Sequence, residues 1–177
     1  MKIELRILDP RLPGWGFPRR GSNLAAGLDL HACLDHPLIL QPQAPAVLIS
    51  AGIAFRIGDP QWCALVLPRS GLGHKQGLVL GNTVGVIDAD YEGPCLISAW
   101  NRNPSRPLGS HISNGREIEI RPGDRIAQLV FTRIARPEFA IVAEFAERGG
   151  RQKSGSRQES GFGSTGIEAA CPDSLPG

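Results

Sequence analysis

The chain is poor in aromatic residues and carries little net charge. Phe, Trp and Tyr make up 6% of its 177 residues, whereas there are 22 glycines and 15 prolines. This composition disfavours a helical bundle and favours many short strands joined by turns. A formal net charge of +2 gives no indication of a nucleic-acid surface, so we expect no nucleic-acid partner. The length suits a single domain with its own core.

Long apolar runs and paired cysteines are also missing. No stretch approaches the roughly 18 apolar residues of a membrane span, and MKIELRILDP alternates where a signal peptide would be continuously apolar. We therefore expect a cytoplasmic protein with no membrane partner. Cys33, Cys63, Cys95 and Cys171 form no C-x-x-C pair, which disfavours structural zinc. The first three lie in apolar segments, as expected for reduced core thiols.

Alternation of apolar and polar residues predicts strands in several places. The pattern occurs in KIELRIL, VLISAGIAFRI, EIEIRPGDRIAQLVF and FAIVAEF. The continuous apolar runs WCALVLP and GLVLGNTVGVI predict strands buried on both faces. Together they predict an all-β sandwich or barrel of many short strands.

One short helix is predicted in PRSGLGHKQG, residues 68–77. Ser70 can act as its N-cap, Leu72 would face inward, and Gly77 can end it in a left-handed conformation. The start of a helix beside Arg69 and Ser70 also suits an anion.

Composition shifts divide the chain into a core and a polar C-terminal part. We expect a β-barrel core over 1–146 with an inserted loop at 103–115 and a flexible linker over 147–160. The glycine-rich hexapeptide at 161–166 is then interpreted as an arm that folds over something, and 167–177 as a disordered tail.

The stretch GVIDADYEG, residues 85–93, concentrates acidic side chains at one bend between two predicted strands. Acidic residues are common in solvated turns, and Asp88, Asp90 and Glu92 could all be of this kind. One of these carboxylates could instead take a proton from a water molecule.

Five stretches, in order along the chain, resemble the five motifs of the trimeric dUTPase family. They are AAGLDLHA (25–32), PRSGLG (68–73), GNTVGVIDADYEG (81–93), RPGDRIAQLVF (121–131) and GFGSTG (161–166). The resemblance implies a homotrimer of distorted β-barrel or jelly-roll subunits. It also implies hydrolysis of dUTP to dUMP and pyrophosphate, which lowers dUTP and supplies dUMP for thymidylate synthesis. Active sites would lie between subunits, each closed by a C-terminal arm.

The resemblance also implies a role for each matching residue. Asp88 would be the general base that activates water for attack on the α-phosphorus, and Tyr91 would pack on the deoxyribose and exclude a 2′-hydroxyl. Mg²⁺ would be carried mainly by the triphosphate, with Asp29 touching it through water. The other implied substrate-binding residues are Arg69, Ser70, Gly71 and Gln128 for the phosphates, Asn82, Gly85, Val86 and Ile87 for uracil, Leu96 as a pocket wall, and Arg157, Phe162, Gly163, Ser164 and Thr165 in the arm. Arg125, behind Gln128, is a structural ion-pair candidate.

The arm departs from the family pattern, which has Arg-Gly five and four positions before the aromatic residue. Arg157 has the right distance from Phe162, but ERGG at 147–150 looks like the original link, displaced by an insertion. Arg157 is therefore the predicted γ-phosphate arginine, with Arg148 as its rival.

Two other functions remain as alternatives. A dCTP deaminase of the same fold would need a Glu on the strand after the hairpin, and that strand reads CLISAWN. A non-catalytic nucleotide-binding module would have no need of Asp88.

Overall fold

The computed structural model describes residues 2–104 and 116–145. The predictions for most of the 103–115 loop, the linker, the arm and the tail lie outside these residues. The same holds for the individual residues Arg148, Arg157, Phe162, Gly163, Ser164, Thr165 and Cys171. The chain divides after Pro137 into two units, Met1–Pro137 and Glu138–Gly177.

The described part of the first unit contains ten strands, one short α-helix and one 3-10 turn. The strands are β1 Glu4–Ile7, β2 Leu28–His31, β3 Leu38–Leu40, β4 Val47–Arg56, β5 Trp62–Pro68, β6 Leu78–Leu80, β7 Gly85–Ile87, β8 Pro94–Asn101, β9 Ile118–Ile120 and β10 Arg125–Arg133. The helix α1 spans Ser70–Lys75 and the 3-10 turn spans Leu12–Trp15. The all-β prediction is confirmed. No described helix is long and apolar enough to cross a membrane.

The strands form two antiparallel sheets of four and one antiparallel pair. The sheet orders are β1-β4-β8-β6 and β2-β10-β5-β7, and β3 pairs with β9. In β8, Cys95, Ile97, Ala99 and Asn101 are buried in alternation, because successive side chains of a strand point to opposite faces. The largest fully buried apolar side chains are Leu12, Leu30, Ile49, Ile53, Ile97, Ile120 and Leu129. Each contributes about 1.5–3 kcal/mol through burial.

The cysteine prediction is confirmed for the three described residues. Cys63 and Cys95 are buried, Cys33 is half-buried, and all three are free thiols. Burial raises the pKa of the Cys33 thiol to about 12 and that of Cys95 to about 11. These thiols therefore stay protonated and serve as small core residues.

The apolar run GLVLGNTVGVI is two strands in different sheets. β6 pairs with β8, whereas β7 pairs with β5 on the other side of the fold. The turn between them crosses from one sheet to the other and places the hairpin residues at the edge of the second sheet.

The predicted helix forms, but its N-cap is Arg69 and no side chain caps it. The assignment of Ser70 as N-cap is therefore wrong: extended backbone continues through Arg69, so Ser70 is already the first helical residue. Leu72 packs on the core as predicted, and Gly77 has the predicted left-handed φ of 81°.

The alternation in FAIVAEF predicts a strand that the structure does not have among residues 138–145. Alternation gives a segment one apolar and one polar face. A strand also needs a neighbouring strand to accept and donate its backbone hydrogen bonds. Phe139, Ile141 and Phe145 are 87%, 100% and 95% exposed. This segment is therefore apolar without being buried.

Candidate active site

The second sheet brings two predicted phosphate residues, Arg69 and Gln128, together with Asp29, the residue predicted to touch the metal through water. Gln128 on β10 lies opposite Asp29 on β2 and opposite Leu67 on β5. β5 ends at Pro68, so Arg69 and the start of α1 follow at the same edge. The three motifs that carry Asp29, Arg69 and Gln128 therefore meet because their strands are neighbours.

Asp29 is held between two arginines. Its Oδ1 lies 3.1 Å from Arg69 Nε and its Oδ2 lies 3.1 Å from Arg125 Nη1. Arg69 Nη1 also donates to the carbonyl of Arg125 at 2.9 Å, which fixes the plane of the guanidinium. These contacts use Nε and one Nη1 hydrogen, so other guanidinium donors can still reach an anion. Arg125 is the ion-pair residue that the sequence predicted.

Ser70 and Gly71 begin α1 and are both exposed. Since no side chain caps this helix, the Ser70 hydroxyl has no capping role. The first backbone N–H groups of the helix have no partner within the helix. Hydroxyl and amide donors therefore lie next to the Arg69 guanidinium, an arrangement that suits phosphate oxygens.

Gln128 is half-buried beside this group of donors. Its Nε2 donates to the carbonyl of Pro68 at 3.0 Å, the residue immediately before Arg69. A Cβ at Gly27 would lie 2.5 Å from Gln128 Oε1, so only glycine leaves room for this side chain. The Asp29 strand thus sets the position of the amide.

The hairpin residues form an exposed, tightly turned edge. Gly85 lies opposite Val66, and a Cβ there would come within 3.1 Å of the Val66 side chain. At the tip, Thr83 has a φ of 61°, and its hydroxyl donates to the Asn82 carbonyl at 2.6 Å. A left-handed β-branched residue is strained, and such strain is concentrated at functional sites. The sequence did not predict the left-handed conformation of Thr83. Glycine or asparagine usually marks such a conformation, and position 83 has neither.

Asp88 is exposed on a turn that is held in place by backbone hydrogen bonds and by the buried Ala89. The Tyr91 N–H donates to the Asp88 carbonyl at 3.2 Å, which closes the turn. Ala89 is 7% exposed, and its carbonyl accepts from the Gly58 N–H at 2.9 Å. The core thus holds the turn while the Asp88 carboxylate faces solvent.

Tyr91 is 43% exposed and is oriented by its own loop. Its hydroxyl donates to the Pro94 carbonyl at 3.0 Å. A Cβ at Gly93 would lie 2.5 Å from that hydroxyl, so the glycine allows the ring to fold over the loop. The ring is held by its own loop and remains partly exposed.

The neighbouring candidates are also at the surface. Leu96 on β8 is 46% exposed, which is compatible with a pocket wall. Asp90 is exposed, as expected for a turn residue. Glu92 is exposed as well but pairs with Arg56 at 3.3 Å.

Within one chain, the turn carrying Asp88 and the phosphate group do not meet. β7 runs antiparallel to β5, and Ile87 lies opposite Ala64, five residues before Arg69. At about 3.3 Å per residue, that places Asp88 and Arg69 about 16 Å or more apart along the sheet. The described residues contain no cluster of three or more His, Cys, Asp or Glu that could hold a metal ion.

Comparisons with known proteins identify the family of this chain. The dUTPase family model matches residues 14–166. The deoxyuridine 5'-triphosphate nucleotidohydrolase of Xylella fastidiosa (strain M23) is 48% identical over 167 residues, 93% of this chain and 95% of the relative. A mutant dUTPase of Staphylococcus bacteriophage 80alpha, solved with dUpNHpp, is 27% identical with a TM-score of 0.71, over 93% of this chain and 99% of the phage protein.

A second solved structure, a mutant dUTPase from phage phi11 of S. aureus, reveals the coordination of a structural Mg(II) ion. It is 28% identical with a TM-score of 0.66, over 82% of this chain and 99% of the phage protein. The match of the family model over most of the sequence, together with the near-complete coverage of these relatives, establishes that this chain belongs to the dUTPase family.

Proposed function

We propose that this protein hydrolyses dUTP to dUMP and pyrophosphate, with water attacking the α-phosphorus and Asp88 as the general base. Family membership supports the reaction, and the exposed Asp88 carboxylate on its anchored turn carries the mechanism. A carboxylate that faces solvent can accept a proton from water. General-base assistance contributes about 10²–10⁴-fold to the rate. Positioning and charge neutralisation around the phosphates must provide the rest.

The phosphates bind at the edge formed by Arg69, Ser70, Gly71 and Gln128. Arg69 is already oriented by Asp29 and by the Arg125 carbonyl, so binding costs little side-chain entropy. The guanidinium, the Ser70 hydroxyl, the Gly71 N–H and the Gln128 amide then donate to phosphate oxygens.

The base and sugar bind at the hairpin. Main-chain groups of Gly85, Val86 and Ile87, with the Asn82 amide, pair with uracil, while Leu96 forms a wall. A backbone has a fixed order of donors and acceptors, so cytosine would leave buried polar groups unpaired at about 1–3 kcal/mol each. The Tyr91 ring packs on the deoxyribose and leaves no space for a 2′-hydroxyl.

Mg²⁺ fits this site as an ion carried by the substrate. Both Asp29 oxygens are engaged by arginines, which disfavours direct coordination, but each oxygen has a second lone pair for a metal-bound water. Mg²⁺ keeps several waters and binds substrate phosphates readily. When bound, it supplies charge neutralisation on the phosphate oxygens. The magnesium described for the phage phi11 relative is structural, so the two sites need not be the same.

The site is completed by a second copy in a homotrimer. The Asp88 turn and the Arg69 group lie too far apart in one chain to act on one nucleotide, so Asp88 of one subunit serves the phosphates bound by another. The exposed apolar segment over 138–145 further supports assembly, since a folded surface rarely leaves so many large apolar side chains in water.

The arm closes the site. We assign Arg157 to the γ-phosphate, with Arg148 as its rival. Phe162 stacks on uracil, Ser164 and Thr165 hold the γ-phosphate, and Gly163 is a further substrate-binding residue of the arm. This assignment retains residues 1–146 as the catalytic core, 147–160 as the linker and 161–166 as the arm. Closure would exclude water and strengthen the electrostatic contacts inside.

Pyrophosphate release from dUTP, compared with dCTP, dTTP and UTP in the presence of Mg²⁺, tests the proposal. We expect release from dUTP alone. Ammonia release from dCTP would instead indicate a deaminase, and binding of dUTP without turnover would indicate a non-catalytic module.

A further inference from the structure

A cavity of about 430 Å³ has Asp29 and Arg125 in its lining, whereas Arg69 is not among its lining residues. Its lining residues are Trp15, Gly16, Arg19, Arg20, Gly21, Asp29, His31, Gly123 and Arg125. They come from the N-terminal loop, from β2 and from the turn before β10. Most of them belong to none of the roles assigned above.

The cavity is cationic. Three arginines and one aspartate line it, which leaves two positive charges in excess. Arg125 neutralises Asp29 at 3.1 Å, and Arg20 Nη1 is tied to the carbonyls of Ala25 and Ala26 at 3.0 and 2.8 Å. Arginine forks match the geometry of phosphate oxygens and stay charged at all physiological pH values.

One part of the cavity lining is closely packed. His31 is 4% exposed, and its ring centroid lies 6.2 Å from that of Trp15. Burial lowers the pKa of His31. Gly123, with a φ of 85°, lies so close that a Cβ would be 2.9 Å from the indole. The exposed residues Arg19 and Arg20 line the cavity beside this packed part.

Asp29 is the wall shared with the phosphate edge. Arg69, which is not among the lining residues, binds one carboxylate oxygen, and Arg125, inside the cavity, binds the other. The cavity and the phosphate edge thus share Asp29, whereas Arg69 belongs to the phosphate edge alone.

We propose that this cavity is a second anion site that binds inorganic pyrophosphate or phosphate next to the nucleotide. Pyrophosphate is the leaving group of the proposed reaction, so the choice of this ligand rests on the proposed function. The cavity and its positive charge are observed independently of that function. The site would hold the product, or phosphate taken from solution, while the nucleotide remains bound.

Calorimetric titration of the full-length protein with pyrophosphate, and separately with phosphate, tests this. The protein is saturated with dUpNHpp and kept free of Mg²⁺, so that the phosphate edge is occupied and the anion is not chelated. Arg19→Ala should weaken binding roughly 10-fold or more, as expected for loss of a charge-assisted hydrogen bond. Arg6→Ala, which removes an exposed arginine outside the cavity, should leave it unchanged.

Gly21 offers a second, matched pair of variants. A Cβ at this lining residue would meet nothing within 4 Å, so larger side chains are tolerated. Gly21→Glu and Gly21→Gln have nearly the same size, and only the first adds a negative charge. We expect Gly21→Glu to weaken binding of the anion much more than Gly21→Gln does. If pyrophosphate binds more tightly than phosphate, the ligand of the cavity is the leaving group of the reaction. If phosphate binds more tightly than pyrophosphate, the ligand is inorganic phosphate from solution.

The proposal is overturned if neither anion binds, if Arg19→Ala and Arg6→Ala behave alike, or if dUpNHpp abolishes anion binding. The last result would mean that the terminal phosphates of the nucleotide already fill the cavity. Each of these outcomes leaves pyrophosphate release from dUTP intact, so failure of this inference is distinguishable from failure of the proposed function.

Discussion

Replacing Asp29 with asparagine tests whether one carboxylate organises the phosphate edge. The substitution keeps the size of the side chain but removes the charge that pairs with Arg69 and Arg125, each 3.1 Å away. The Asp29 side chain is only 18% exposed, whereas the Arg69 and Arg125 side chains are 30% and 55% exposed. The Asp29–Arg69 pair should therefore contribute more to the free energy of unfolding than the Asp29–Arg125 pair.

The magnitude follows from these exposures. A hydrogen bond to a charged group contributes about 1.5–3 kcal/mol, and an exposed ion pair about 0.2–1 kcal/mol. The Arg69 pair belongs near the bottom of the first range and the Arg125 pair in the second. Because asparagine keeps one acceptor, the net loss should be about 1–2 kcal/mol in the free energy of unfolding.

Urea unfolding without nucleotide or Mg²⁺ measures this loss. With a slope of about 2 kcal/mol/M, the midpoint should fall by roughly 0.5–1 M. Asp35→Asn is the control: its side chain is 87% exposed and lies 3.4 Å from Arg11, so it should cost less than about 0.5 kcal/mol. Protein concentration must be matched, since assembly adds to apparent stability. Equal midpoints for the two variants would refute the organising role of Asp29.

Three further predictions concern contacts that position other residues. Gly93→Ala should push the Tyr91 ring aside and raise turnover of UTP relative to dUTP, measured as the ratio of kcat/KM values, because the added Cβ would meet the ring hydroxyl at 2.5 Å. Gly27→Ala should displace Gln128 and raise KM for dUTP with little loss of stability, since the clash is with the end of a side chain. An arginine hydrogen bond holds the pKa of Asp9 at about 2, below its usual 3.8, so this carboxylate stabilises the fold fully above pH 3.8. That stabilisation is lost as pH falls to about 2, and Asp9→Asn should remove this part of the acid sensitivity in pH-dependent unfolding.

Gly14→Ala is the common control for the two glycine variants, because its Cβ would meet nothing within 4 Å. It should leave both the UTP ratio and KM unchanged. If Gly93→Ala or Gly27→Ala behaves like Gly14→Ala, the corresponding contact does not position Tyr91 or Gln128. If the pH dependence of unfolding survives in Asp9→Asn, other carboxylates account for it.

Much of the fold could be predicted because burial leaves a local pattern. The continuous run WCALVLP is strand β5, Trp62–Pro68, which is flanked by strands on both sides. KIELRIL also contains a strand, the edge strand Glu4–Ile7, although all four of its residues are exposed, so here the alternation does not mark burial. By contrast, the run at 78–87 gives no sign that its two halves belong to different sheets, because pairing partners are set by distant residues.

Site residues that belong to a local sequence motif could be predicted from the sequence. Features that depend on how distant segments fold together were missed. Arg125 was recognised as an ion-pair residue, and the structure supplies its partner, Asp29. The left-handed Thr83 and the cationic cavity could not be found in the sequence. The first lies in the turn that crosses from one sheet to the other, and the second joins residues around Trp15, His31 and Gly123 that are far apart in the chain.

The FAIVAEF segment shows the limit of alternation as a signal. Its period of two indicates a strand, yet the side chains of Ile141 and Phe145 are exposed and no strand is present among residues 138–145. A periodic pattern reports which faces a strand would have, and not whether a partner edge exists within the same chain.

The most direct test of the account is the single-turnover rate of Asp88→Asn at saturating dUTP and Mg²⁺, with Asp90→Asn as the matched control on the same turn. If Asp88 takes the proton from the attacking water, its replacement should slow the reaction about 10²–10⁴-fold while the affinity for dUTP is retained. Asp90→Asn should react at close to the normal rate. A normal rate for Asp88→Asn, or an equal loss in both variants, would contradict the assignment of Asp88 as the general base.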